Sequence, residues 1–387
     1  MADRELQRRE FLSTCGRAGV GLGMLPLLGS EILTERVASL PWGEIGNVSN
    51  HKGLFWHAVG GKETECDLCP SRCVIQPGER GTCGTRENED GYYISKVYGK
   101  PCEIRLERME KGPFYHFLPR TWTIGLGFAG CSLDCKYCQS AQFAKARPET
   151  SDNKSLSPQG LVAQLRQNGY NSVTFTYSEP MQVIEYVLDV ANIARPLGIK
   201  VAVHTAAYAC SPAFEELCCN VDAINVDLKG FSENFYKTMT GGDLTTVLNN
   251  IKRVRRHPEV WLELTNLVVP GYNDKDQEFA AMCKWIRDNC GSDTPLHVSK
   301  FFPQYKLRNV APTPNDTLRR LRKIGFDAGL HYVYLGNMPG DPGESSYCPK
   351  CGAKMIYRNN YESTFTAFDP NSGVCTECGL RIPGRWR

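Results

Sequence analysis

Three groups of cysteines carry the chemistry this chain can do, and their spacing separates them. In GLGFAGCSLDCKYCQS, residues 125–140, Cys131, Cys135 and Cys138 form a C-x3-C-x2-C run. Three thiolates that close together can hold three corners of a cubane iron-sulfur cluster, whereas a closed zinc or cluster site normally takes four ligands. One metal corner is therefore left open. The competing half of a zinc knuckle would need a nearby fourth ligand, and the next cysteine is Cys210. A second group, ECDLCPSRCVIQPGERGTC, holds Cys66, Cys69, Cys73 and Cys83, with Pro77, Gly78 and Gly81 supplying turns that return Cys83 to the first three. Its spacing fits a structural zinc site and an auxiliary iron-sulfur cluster equally. The third group is Cys348, Cys351, Cys375 and Cys378, two C-x2-C-G knuckles across a hairpin-like stretch. Four thiolates with no open position predict a structural zinc.

Those groups need a scaffold, and the composition allows one. The 387 residues are 41% apolar and 22% charged, ordinary values for a folded chain with room for one large domain and smaller ones. Forty-five basic residues nearly balance 42 acidic ones, so charge gives no case for a nucleic-acid partner. The 18 cysteines are the outlier, and most fall in tight groups whose C-x2-C spacing favours metal over disulfides.

Along the chain, residues 1–40 are expected to be a leader: Arg8-Arg9-Glu10-Phe11-Leu12 precedes a short apolar, glycine-rich run too short to span a membrane. Residues 62–120 form a cysteine-rich module that ends in the connector KGPFYHFLPRTW. Residues 121–340 alternate apolar strand runs (TIGLGF, SVTFTYS, KVAVHTA, AINVDLKG, WLELTNLVV, LHVSKFFP and a possible seventh, HYVYLG) with amphipathic helices. Repeated βα units imply parallel strands with right-handed crossovers, and six units in this length predict an α/β fold of partial (β/α)6 TIM-type barrel. Chemistry in such a fold sits at the carboxyl ends of the strands, and the cysteine run follows the first strand. Residues 341–387 are the zinc-binding tail. The basic runs at residues 252–256 and 319–323 read as solvated helix faces.

Polar residues on the apolar strands are further candidates. Ser178 and Glu179 end the second strand, where Ser178 also suits a helix N-cap ahead of Pro180. Asp227 and Lys229 share one face of the fourth strand, and buried charges of opposite sign must pair or bind something polar. His204 with Thr205, Glu263 with Asn266, and His297 with Lys300 stand on the third, fifth and sixth strands, with His204 and Asn266 foremost.

The cysteine triad, Tyr137 before its last member, and Gly127 and Gly130 before its first resemble the signature of the radical S-adenosylmethionine (radical SAM) superfamily. That resemblance implies a 4Fe-4S cluster on Cys131, Cys135 and Cys138, and S-adenosylmethionine on the open iron. It further implies an electron donor such as flavodoxin or ferredoxin, and a 5'-deoxyadenosyl radical that abstracts hydrogen from a protein or small molecule. Ser178 and Glu179 stand where related enzymes carry a glycine-glycine-glutamate segment for the methionine ammonium, and Asp227 and Lys229 match an Asp-x-Lys pair of glycyl-radical activating enzymes. The segments ECDLCPSRC, KGPFYHFLP, TYSEP, NVDLKG, VVPGYND, KFFPQY and VYLGN resemble the AmmeMemoRadiSam group, itself similar to pyruvate formate-lyase activating enzyme. The tail resembles a zinc ribbon. The leader resembles a twin-arginine export signal, which implies a periplasmic or membrane-associated protein, with a cytoplasmic one as the alternative. An alternative of another class is a multi-metal electron-transfer or binding protein without radical chemistry, although a carrier has no use for an open cluster corner.

Overall fold

A computed structural model describes residues 44–387, so the expected leader lies outside the described residues. An eight-stranded sheet forms the centre: β1 (Glu103–Arg108), β2 (Trp122–Gly127), β3 (Ser172–Phe175), β4 (Lys200–Thr205), β5 (Ala223–Asp227), β6 (Trp261–Val268), β7 (Leu296–Lys300) and β8 (Val333–Gly336). Its order follows the chain from one edge to the other, with β2 to β8 parallel and β1 antiparallel on β2. A doubly wound sheet would reverse its strand order part-way. Here each strand lies beside its predecessor, as in a barrel, yet β8 does not pair with β1 and the sheet stays open. Six βα units are therefore present; the possible seventh strand, HYVYLG, is β8, and only the antiparallel edge strand β1 is added to those expected.

The crossovers are α1 (Pro158–Gln167), α2 (Ile184–Ala194), α3 (Ser211–Asn220), α4 (Leu244–Val254), α5 (Asp276–Cys290) and α6 (Asn315–Asp327), each packed on the next. Local sequence explains their limits. Ser157 caps α1 by accepting from Gly160 N at 3.1 Å, with Pro158 in the first turn, and Asp243 caps α4 by accepting from Thr246 N at 2.7 Å. On α4, Leu244, Val247, Ile251 and Val254 are buried at helical spacing while Lys252 faces solvent. Strand β3 is buried at every residue, as helices over a parallel sheet require.

The connector does more than join two elements. It runs under the amino-terminal end of the barrel, where Phe114, Phe117 and Leu118 pack with Ala202, Ala223 and Trp261. Glu263, fully buried, accepts from Tyr115 N (3.0 Å), His116 N (2.8 Å), Trp261 Nε1 (3.0 Å) and His297 Nε2 (2.6 Å). Burial pushes the Glu263 carboxyl up, but the His297 hydrogen bond and charge outweigh it and hold the group below its usual value. Burial pushes His116 down to about 4, so the ring is neutral. Its Nδ1–H must then donate to Pro383 O (2.8 Å), a pure acceptor, leaving Nε2 to accept from Tyr334 Oη at 2.6 Å. Tyr334 Oη in turn accepts from Ser346 Oγ (2.7 Å), which accepts from Arg358 Nη1 (2.7 Å), while Arg358 Nη2 donates to Tyr115 O at 2.8 Å. This chain of bonds ties the tail to the barrel floor. Glu263 and His297, expected among the polar positions of their strands, lie near the starts of β6 and β7 and belong to that floor.

Candidate active site at the carboxyl end of the barrel

The triad loop leaves β2 at Gly127 and is fastened on two sides. Asp134 N and Lys136 N donate to Thr240 O (2.8 Å) and Met239 O (2.9 Å), and Asp134 pairs with Lys145 (3.2 Å) and Lys306 (2.8 Å). The KFFPQY segment beyond β7 docks on its far end, where Gln139 Nε2 donates to Phe302 O (3.0 Å) and Gln304 Nε2 to Gln139 O (3.1 Å). Cys135 is buried and Cys131 and Cys138 half-buried. Burial pushes all three thiols up, Cys135 to about 11, with the Lys229 charge acting against it there.

Beside the loop, strands β4 and β5 bring three sequence candidates into one network. Asp227 accepts from His204 Nε2 at 2.9 Å and from Lys229 Nζ at 2.8 Å. Burial alone would raise the Asp227 carboxyl, but the Lys229 ammonium and His204 hold it well below the usual carboxylate range. Burial works against the Lys229 charge, and Asp227 overrides it so that Lys229 stays protonated. Lys229 N donates to Tyr236 Oη (3.1 Å), and Asn273 Nδ2 of the VVPGYND segment donates to Lys229 O at 2.7 Å.

Glu179 takes a different position. Its carboxylate is buried and accepts from Thr205 Oγ1 (2.5 Å), Ala206 N (2.9 Å) and Met181 N (3.2 Å), which joins the end of β3 to that of β4. Ser178 Oγ accepts from Phe128 N at 3.3 Å, next to the triad loop. Tyr177, just before Ser178, has φ +67°, a left-handed conformation that turns the chain sharply there. Asn266 Nδ2 donates to Leu228 O at 2.7 Å. Its Oδ1, Ser132 Oγ and Tyr137 Oη are buried without a hydrogen-bond partner among the described residues. Tyr137 was read only as part of the motif, and Ser132 not at all. Unpartnered buried polar atoms around the loop suit a polar ligand, because leaving them unmade costs free energy.

The thiol spacings differ in kind. Cys348 and Cys378 sulfurs lie 3.6 Å apart, Cys351 and Cys375 sulfurs 3.7 Å, and all four sulfurs fall within 4.8 Å of one another. A tetrahedral zinc with bonds of about 2.3 Å places thiolates about 3.8 Å apart, so the tail fits one ion. Gly352 and Gly379 have φ +74° and +71°, the turn that each knuckle requires. Among the described residues no such contraction gathers Cys131, Cys135 and Cys138, nor any three of Cys66, Cys69, Cys73 and Cys83. Thiolates on different irons of a cluster stand further apart than thiolates on a single ion, so a cluster on the triad does not require that contraction. Glu215, Cys219 and His257 also converge on the barrel helices, a grouping not anticipated from sequence, but Glu215 there is engaged by Arg253 (2.6 Å) and His257 (2.8 Å) as an ion-pair group.

Residues 127–285 match the Radical SAM superfamily. An uncharacterized protein of Methanocaldococcus jannaschii is 35% identical over 331 residues, covering 86% of this chain and 98% of that protein. The chain carries a radical SAM domain over residues 127–285. That domain implies a 4Fe-4S cluster and S-adenosylmethionine. The pyruvate formate-lyase-activating enzyme of Clostridium pasteurianum is 24% identical over 218 residues, covering 51% of this chain and 87% of that enzyme. The crystal structure of a radical SAM methyltransferase from Sphaerobacter thermophilus is similar with a TM-score of 0.46 and 14% identity, over 83% of this chain and 86% of that one. No helix among the described residues is long and apolar enough to cross a membrane.

Proposed function

We propose that this radical SAM protein is an activating-enzyme-like oxidoreductase of the AmmeMemoRadiSam type, abstracting hydrogen from a protein or small-molecule substrate, with a glycine of a partner enzyme as one such target. The observation that carries this reading is the fastened three-cysteine loop beside the His204–Asp227–Lys229 network at the strand ends. Cys131, Cys135 and Cys138 would hold three irons of a cluster and leave its fourth to the cofactor. When bound, the cluster supplies one electron to S-adenosylmethionine, whose cleavage gives methionine and the 5'-deoxyadenosyl radical.

The chain's own residues bind, orient and exclude water. Asp227 presents a carboxylate held ionised by its two neighbours, suited to the cofactor's ammonium or ribose hydroxyls. Lys229 keeps that carboxylate charged and adds a cation beside Cys135. Ser178 and Glu179 fix the turn whose backbone walls the cofactor site, and Asn266 and Tyr137 offer it unpaired polar atoms. The electron donor is a low-potential protein such as flavodoxin or ferredoxin. Zinc on Cys348, Cys351, Cys375 and Cys378 closes the ribbon-like tail, and the Arg8-Arg9 leader directs the protein by twin-arginine export to the periplasm or its membrane.

The test is anaerobic reconstitution with iron and sulfide, reduction by dithionite, and assay of 5'-deoxyadenosine. Wild-type protein is expected to form it. Alanine in place of Cys131, Cys135 and Cys138 together is expected to abolish it, and an undiminished rate in that variant refutes the assignment. Without substrate the assay still reports uncoupled cleavage, so it separates radical chemistry from a purely electron-carrying role.

A further inference from the structure

The Cys66 group has no part in the chemistry above, yet the fold places it against the triad loop. Gly130, next to Cys131, has φ +91°, and a Cβ there would stand 2.6 Å from Cys83 O and 2.3 Å from Thr85 Cγ2. Only glycine lets the two cysteine loops approach this closely. On the other side Leu68 O accepts from Cys210 N (3.0 Å) in the segment after β4. The module is locked in place by Arg86, fully buried, which pairs with Glu185 of α2 at 2.6 Å and donates to Gln182 O at 2.9 Å.

We propose that Cys66, Cys69, Cys73 and Cys83 hold a second iron-sulfur cluster rather than a zinc ion. Four cysteines close the site, with no corner left for a cofactor. Cys66 and Cys69 are buried, Cys73 and Cys83 half-buried, and none is in a disulfide. Their sulfurs lack the single-ion contraction of the tail, in which four thiolates gather within 4.8 Å. In neither this group nor the triad do three sulfurs, among the described residues, all fall within 4.8 Å of one another. Hydroxyl groups serve three of the four sulfurs: Tyr93 Oη donates to Cys66 Sγ at 2.8 Å, Thr85 Oγ1 lies 3.2 Å from Cys83 Sγ, and Thr82 Oγ1 lies 3.5 Å from Cys73 Sγ. Hydrogen bonds to sulfur are one of the means by which a protein sets a cluster's potential. The Arg86 guanidinium lies 5.7 Å from the Tyr93 ring centre, a buried cation beside a site that would carry net negative charge. The tail's four sulfurs have each other as neighbours at zinc distance, whereas these have hydroxyls.

Existence of this cluster does not depend on the radical reading, and the experiment keeps the two apart. The full chain carrying Cys131→Ala, Cys135→Ala and Cys138→Ala is reconstituted anaerobically with ferrous iron and sulfide, and its iron, sulfide and zinc are counted. It is expected to retain about two to four irons with matching sulfide, and to show an electron paramagnetic resonance signal when reduced. Adding Cys69→Ser and Cys83→Ser is expected to remove both iron and signal while the zinc of the tail stays. An iron-free triad variant overturns the proposal. So does a second zinc per chain that is lost with Cys69→Ser and Cys83→Ser. If the five-fold variant does not fold by circular dichroism, the iron count of the triad variant still decides. Failure of 5'-deoxyadenosine formation by the wild type would refute the radical reading and leave this count untouched.

Discussion

Replacing Asp227 by asparagine tests the network on which the proposed cofactor site rests. The side chain is 27% exposed and Lys229 only 14%, so the change leaves a largely buried ammonium without its counter-charge. One of the two bonds can survive to the amide oxygen, which no longer carries a charge, and the other loses its acceptor. A hydrogen bond to a charged group contributes about 1.5–3 kcal/mol, and breaking a buried pair costs about 3–5 kcal/mol. Partial exposure places Asp227→Asn near the lower figures, about 2–3 kcal/mol, to be read from urea midpoints at neutral pH. The same substitution should weaken S-adenosylmethionine binding to the reconstituted protein by roughly ten- to a hundredfold, the equivalent of one such bond. The pH dependence follows from the directions of the shifts. Asp227 lies below its unfolded value of about 3.9, so its contribution is complete above that pH and is lost as pH falls through the still lower folded value. Lys229 lies above its unfolded value of about 10.4, so its contribution is complete below that and is lost only as pH rises through the folded value. The Asp227 and Lys229 contributions to the stability gap between wild type and variant should therefore both be complete from about pH 5 to 9. A gap under about 0.5 kcal/mol, the size of an ordinary surface substitution, or one that closes near pH 7, would refute the reasoning.

Two further perturbations address the floor and the tail. Glu263→Gln keeps the shape of a fully buried side chain but puts an NH2 where a carboxylate oxygen accepted, and should cost about 3–5 kcal/mol; thermal unfolding within about 0.5 kcal/mol of wild type would show the floor network to be dispensable. Chelation of the folded protein should release one zinc and expose residues 346–382 to protease before the barrel opens, since a closed site supplies folding energy to the segment that contains it; cleavage of barrel and tail at equal rates would contradict a separate role for the tail site.

The parallel strands were legible because a buried strand reads as a short apolar run, and the triad because three cysteines at that spacing have few other uses. Glu103–Arg108 was missed as a barrel strand: charges at Glu103, Arg105, Glu107 and Arg108 deny it an apolar run, although Glu107 is buried, and it lies in the cysteine-rich half of the chain. The connector was legible as a segment but not as a floor, because Glu263 meets Tyr115 and His116 across nearly 150 residues. A signal was available, since Glu263 stands third in β6 and so at the end away from the chemistry. Cysteine spacing alone left the Cys66 group open between zinc and a cluster, because that distinction lies in how far apart the sulfurs stand.

The acids on or just after the parallel strands show which of them remains available to a ligand. An ionised carboxylate has about four acceptor positions. Glu263 fills its own with two backbone amides, an indole and an imidazole, and is fully buried. Glu179 meets three donors at 1% exposure, all from the chain itself. Asp227 meets two, both side chains that keep it ionised, and 27% of its side chain is open. A buried carboxylate with every position taken is a structural post, and replacing it should cost stability alone. A charged one with acceptor positions in reserve, partly open beside three thiols, has unused capacity for an ammonium or hydroxyl donor. Stability and affinity should therefore part company between Glu263 and Asp227, with S-adenosylmethionine affinity expected to fall only in the Asp227 variant.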